Sequence, residues 1–123
     1  MSGVVLDAGA FIALERRSGT MVELTRRFVA ARTPLVTSAG VVAQVWRGGA
    51  RQVGVAYLLH RVAVVDLTGR VAKLLGQMLG ATGSADPVDA HVVFLARERG
   101  WPVLTSDPRD LRVLDPKLAI ETI

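Results

Sequence analysis

The sequence predicts an α/β domain in three layers, a central parallel sheet of about four to five strands flanked by helices, and three observations carry that reading. Short apolar runs alternate with stretches of helical periodicity along the whole chain, and strands joined by helices in this way form a parallel sheet with right-handed crossovers. The first of these runs is continuous and β-branched, as a strand buried on both faces is. A chain of 123 residues, half of them hydrophobic and without repeats, linkers or low-complexity segments, suits one domain over residues 1–123 with a sizeable core.

Taken in order, Gly3–Leu6 predicts the first strand, ending at Asp7. Ala10–Arg16 predicts a short helix. Thr20–Arg32 predicts a second, with Met21, Leu24, Phe28 and Val29 on an apolar stripe and Arg26, Arg27 and Arg32 outside it. Pro34 separates that helix from the strand Leu35–Thr37. Ser38 is placed as an N-cap, and the helix after it turns Val41, Val42, Val45 and Trp46 inward until Gly48 and Gly49 break it. Gln52–Leu59 predicts a further helix, Val62–Val65 a strand, and Thr68–Leu79 a helix followed by a Gly/Ser/Thr loop over Gly80–Ala85. Asp86–Arg99 is the best-marked helix, with Pro87 in its first turn and Gly100 at its far end. Pro102–Thr105 is the next strand, Asp107 and Pro108 open a last helical turn, and Leu118–Ile123 offers an edge strand.

The formal net charge is +4, and of the 15 basic residues only Lys73 and Lys117 are lysines. Guanidinium groups pair bidentately with phosphate, so an arginine-dominated basic chain suits a polyanion such as RNA; a high-GC coding bias gives the same composition. The absence of cysteine excludes a disulfide framework, a thiol nucleophile and a cysteine-based zinc site. No run approaches the length that spans a bilayer, and the first residues carry no basic leader, so the expectation is a soluble, cytoplasmic protein with no membrane partner.

Three acidic residues fall where loops and helix N-termini converge beyond the carboxyl ends of parallel strands. Asp7 ends the first strand, Asp107 follows the strand VLT, and Asp89 lies in the first turn of the helix after the Gly/Ser loop. Carboxylates gathered there repel one another unless a cation neutralises them, and hard oxygen ligands favour Mg²⁺, with Mn²⁺ as the alternative. Asp86-Pro87-Val88-Asp89 and Asp107-Pro108-Arg109-Asp110 also share a D-P-x-D pattern that starts a helix well, with an Asp N-cap, Pro at N1 and a second Asp facing free N–H groups. Capping alone does not require an aspartate at the end of the first strand as well.

The segments VVLDAGAFIAL, TSAGVVAQVWRGG, ADPVDAHVVFLARERG and VLTSDPRDL, in this order, resemble the successive signature segments of the PIN-domain family, especially its VapC-like bacterial toxins. The resemblance covers essentially the whole chain, and its specific part is the pair of segments holding Asp89 and Asp107, 18 residues apart. It implies a parallel α/β fold and Mg²⁺- or Mn²⁺-dependent cleavage of RNA phosphodiesters by a protein that forms a homodimer and is silenced by a cognate VapB-like antitoxin. Residue by residue, it makes Asp7, Asp89 and Asp107 the catalytic and metal-holding acids. Thr105 would support them by hydrogen bonding, and Asp86 and Asp110 would stand behind them or cap their helices.

One position departs from the pattern: where the family usually supplies a fourth acid, this chain has Gln44. An amide can coordinate through its carbonyl oxygen but carries no charge and cannot serve as a general base, so the departure predicts weaker metal binding with one ion rather than two, a contact of Gln44 with RNA instead, or a lost activity. Gln44, Arg47, Gly48 and Arg51 follow helical spacing, so a polar face carrying Arg47 and Arg51 towards RNA phosphates is expected, with an ordinary solvated face as the alternative. The rival to an RNase is a catalytically silent module of the same fold that binds RNA or protein. A phosphoacceptor receiver is disfavoured because neither lysine ends a late strand, and no P-loop motif occurs. Trp46, Tyr57, Leu58 and Leu59 are candidates for an exposed apolar patch that a partner covers.

Overall fold

The structure, a computed structural model, describes residues 2–123. Its strands are β1 (Val4–Leu6), β2 (Leu35–Ser38), β3 (Ala63–Val65), β4 (Val103–Thr105) and β5 (Ile120–Thr122), joined in one all-parallel sheet of order β3-β2-β1-β4-β5. Val5 of the central strand lies opposite Val36 on one side and Val103 on the other. β1, β2 and β4 are buried along their whole length; β1 is apolar throughout, and β2 and β4 open on apolar pairs and end in buried Thr37, Ser38 and Thr105. The edge strand β3 is largely exposed.

Helices cover both faces. α1 (Ala8–Glu15) packs against α2 (Gly19–Ala31), α3 (Ala39–Val45) and α4 (Val53–Leu59). α5 (Gly69–Thr82), α6 (Pro87–Arg99) and α7 (Pro108–Leu114) pack on one another, with α6 lying along β1, β2 and β4. Phe11, Met21, Leu58, Leu75, Leu95 and Leu111, one from each of six helices, are fully buried around the sheet. Each contributes about 1.5–3 kcal/mol by leaving water. No helix among the described residues is long and apolar enough to cross a membrane.

Three sequence expectations are corrected. The helix after Ser38 stops at Val45, because Trp46 turns to extended backbone ahead of Gly48 and Gly49, both at positive φ; Trp46 is therefore 42% exposed and not turned inward. The segment read as one helix from Gln52 begins as a 3₁₀ turn, Ala50–Gln52, and within α4 Leu58 is fully buried, so of the apolar patch Trp46 and Tyr57 are exposed and Leu58 is not. The loop expected over Gly80–Ala85 starts later, since α5 runs on through Thr82 to a left-handed Gly83.

The connections leaving β1 and β4 diverge: β1 leads through α1 and α2 to β2, and β4 through α7 to β5 on the opposite side. Adjacent parallel strands whose connections part in this way leave a crevice outside their carboxyl ends. Asp7 and Asp107 both flank it.

Candidate active site

Asp7 is the first residue beyond β1 and the N-cap of α1. Its Oδ1 accepts from the Ala8 N–H at 2.7 Å, and its Oδ2 accepts from Thr105 Oγ1, at the end of β4, at 3.0 Å. The Asp7 N–H donates to the Leu104 carbonyl, so backbone and side chain both tie it to the neighbouring strand. Asp7 is buried, and burial pushes its pKa above the usual carboxylate value; the two hydrogen bonds oppose that rise, and Asp86 and Asp107 add to it.

Thr105 is the hinge of this arrangement. While donating to Asp7, its hydroxyl accepts from the Asp107 N–H at 3.1 Å, which sets the start of α7 relative to β1. Asp107 caps α7 through Oδ1, accepting from the Arg109 N–H at 3.3 Å. Asp86 caps α6 in the same way, its Oδ1 accepting from the N–H groups of Val88 and Asp89 at 2.9 and 3.2 Å. Asp110 sits in the first turn of α7.

Asp89, in the first turn of α6, is the most perturbed of the acids. Its pKa is pushed up from 3.8 to about 7, first by burial and then by the negative charges of Asp86, Asp7, Asp110 and Asp107. A cleft of about 450 Å³ between the starts of α6 and α7 is lined by Asp86, Asp89, Asp110, Ser84 and Val113. The fold thus brings Asp86, Asp7, Asp110 and Asp107 within electrostatic reach of Asp89, and among the described residues no basic group counters the negative charge at Asp7 or Asp89.

A set of hard carboxylate oxygens without a counter-charge fits a hard divalent cation in its chemistry. The side chains are not closed into a cage: among the described residues no three acidic or imidazole groups stand as ready ligands of one ion. Asp86 and Asp107 point their carboxylates at their own helix N-termini instead.

Gln44 is exposed on α3 and makes no side-chain hydrogen bond among the described residues. The continuous helical face expected over Gln44, Arg47, Gly48 and Arg51 does not form, since α3 ends before Arg47 and Gly48 is left-handed. Arg47 turns Nη1 back onto the carbonyls of Ala43 and Trp46, at 3.0 and 2.8 Å. His91 is buried in α6, and burial lowers its pKa.

Two features, one at the site and one at the far end of α1, had no sequence signal. At Gly9, in the first turn of α1, a Cβ would strike the Ser106 side chain and backbone, so glycine is needed for the β4–α7 loop to lie against the start of α1. Nothing in the sequence pairs Gly9 with a residue almost a hundred positions later. The second is Gln52, whose buried amide donates through Nε2 to Glu15 and the Val45 carbonyl and accepts through Oε1 from the N–H groups of Arg47 and Gly48.

Compared with known proteins, residues 4–115 match the family model of the PIN domain. No curated protein matches the sequence. Among solved structures, the chain is similar to one in VapBC2 from Rickettsia felis bound to a DNA fragment from their promoter, with a TM-score of 0.71 and 13% identity, covering 98% of each chain. It is also similar to one in DNA-bound VapBC from Salmonella typhimurium, with a TM-score of 0.70 and 21% identity over 99% of this chain and 98% of that one. FitAcB from Neisseria gonorrhoeae follows at 0.59 and 16%, over 95% of each chain. At these identities the likeness is one of fold.

Proposed function

The chain belongs to the PIN-domain family, whose members are generally nucleases, and from that premise we propose that it is a divalent-metal-dependent endoribonuclease, the toxin of a VapBC-like toxin–antitoxin pair acting in the cytoplasm. The observation that carries the reading is the convergence of Asp7, Asp89 and Asp107, with Asp86 and Asp110, beyond the carboxyl ends of β1 and β4, where burial first and then the charges of the other four acids push Asp89 to about 7. A cluster of unneutralised carboxylates is costly to fold around and is the arrangement that a metal-assisted hydrolase needs.

Asp7, Asp89 and Asp107 would hold Mg²⁺ or Mn²⁺. When bound, such an ion supplies an activated water and neutralises charge on a phosphodiester. The chain's own contribution is orientation. Thr105 fixes Asp7 by a hydrogen bond to one carboxylate oxygen while the Ala8 N–H fixes the other, leaving the group few rotamers to lose on ligation. Asp107 is exposed, with Oδ1 engaged at the helix start, and its Oδ2 would accept the proton of an attacking water. Arg47 and Arg51, both exposed, meet the RNA backbone. The structural likeness to VapBC and FitAcB chains supports an antitoxin partner. Exposed Trp46, Val53 and Tyr57 support an apolar contact with it or with a second copy in a homodimer.

The test is cleavage of a structured RNA pool by purified protein in EDTA, Mg²⁺ or Mn²⁺, beside Asp7→Asn and Asp89→Asn. Metal-dependent cutting is expected for the wild type and lost in both variants. The second reading, a catalytically silent module, is favoured by one observation: the uncharged, exposed Gln44 at the position of the family's usual fourth acid. It predicts no cutting by folded wild type and an activity awakened by Gln44→Glu.

A further inference from the structure

Behind the acidic centre, α1 ends in a second cleft of opposite charge. Arg16, Arg17, Arg47 and Arg51 line it together with Glu15 and Gln52, in a volume of about 430 Å³. All four arginines are exposed, and among the described residues none forms an ion pair with a carboxylate. Glu15, the acid at the cleft, accepts from Gln52 at 2.6 Å.

The cleft is held in shape by Gln52. Its amide is 4% exposed and uses donor and acceptor atoms alike to join the end of α1, the end of α3 and the turn carrying Arg47 and Gly48. A buried amide with all its partners fixes backbone geometry over segments that have no regular structure of their own.

Arg17 adds an independent observation. α1 closes with the paired hydrogen bonds of a left-handed helix end, from the Ser18 N–H to the Ala13 carbonyl at 2.9 Å and from the Arg17 N–H to the Leu14 carbonyl at 3.0 Å. Arg17 occupies the left-handed position, φ 58, where glycine is the unstrained residue. Arg32 closes α2 in the same conformation, φ 53, but lines a different hollow with Phe28, Leu35 and Arg61.

We propose that Arg16, Arg17, Arg47 and Arg51 form a phosphate-binding subsite that holds a single RNA strand whose scissile bond lies at the acids. The inference rests on the ribonuclease reading above and extends it to how the substrate is held. A centre of five carboxylates repels a polyanion, so the attraction that brings RNA there must come from elsewhere on the molecule. α1 links the two places: Asp7 is its N-cap, and the arginine cleft lies at its other end, about 12 Å away along an eight-residue helix. That separation is a few nucleotides of extended single strand.

The experiment is anisotropy of a short fluorescein-labelled single-stranded RNA titrated with metal-free protein in EDTA over a range of salt. Arg17→Gly and Arg51→Ala are each expected to weaken binding several-fold and to lower the slope of log affinity against log salt by about 0.7. Arg17→Gly relieves the strained backbone, so its Tm holds or rises; Arg32→Gly relieves the same strain, raises Tm likewise and leaves RNA affinity unchanged. Wild-type affinity for Arg17→Gly and Arg51→Ala, or no binding of RNA by the wild type, overturns the proposal. Competition by poly-L-glutamate as effective as that by RNA overturns it too, assigning the cleft to an acidic peptide. Because the readout is binding without metal, a failure to cleave in Mg²⁺ would defeat the proposed activity and leave this result standing.

Discussion

Replacing Asp89 with asparagine should make the metal-free protein more stable while removing its activity. The native carboxyl holds its proton more tightly than the unfolded one, with a pKa of about 7 against 3.8. The stability it confers is fully present below about pH 4 and is lost as pH rises through about 7. At 1.36 kcal/mol per pH unit the difference corresponds to at most about 4 kcal/mol at pH 8. Asp89 is only partly buried, and solvent screening reduces this to roughly 1–2 kcal/mol. For a chain of this size that is about 4–8 °C in Tm. The assay is thermal unfolding of wild type and Asp89→Asn in EDTA at pH 8 and near pH 4, then at pH 8 with Mg²⁺. The variant should melt higher at pH 8, the gap should close in acid, and Mg²⁺ should raise the wild type more than the variant. A variant that melts at or below the wild type at pH 8, or a gap independent of pH, would refute the electrostatic account of the site.

Thr105→Val removes one of the two hydrogen bonds that lower the pKa of Asp7, so that pKa climbs further and the pH at which metal-dependent cleavage reaches half its maximum moves upward; a pH–rate profile unchanged from the wild type would show that the hydroxyl does not tune Asp7. Gly9→Ala places a methyl group against Ser106, and shifting the β4–α7 loop to admit it costs about 1–3 kcal/mol, measured by urea unfolding, with a fall in cleavage because Asp107 follows Ser106 directly.

Most of the architecture is legible because the three central strands are buried and open on apolar residues, and because Ser38, Asp86 and Asp107 each hold the first N–H groups of a helix. The ends of elements are harder. Gly80 and Thr82 have the composition of a loop, yet α5 runs through both while packing against α6 and α7, and the hydroxyl of Thr82 bonds back to the Met78 carbonyl. Trp46 extends the apolar period of α3 by one residue, but the backbone leaves the helix there. The gathering of the acids follows from their places after strands and at helix starts. Their orientations do not, because an aspartate that caps a helix and one that faces a metal have the same sequence signature. Gln52 is invisible in the sequence for a different reason: a lone glutamine carries no period, and its partner Glu15 is 37 residues away.

Strand order also sets the order in which the protein becomes whole during synthesis. β1 can pair with β2 once residue 38 is available, but its other flank stays open until β4 at residues 103–105. The hydroxyl that steadies Asp7 is supplied by a residue 98 positions later in the chain. Contacts of such long sequence separation form late, and a chain emerging from its N-terminus cannot make them early. Asp7 is thus translated long before it can be locked in place, and a nascent chain carries an unfinished centre until β4 has been made.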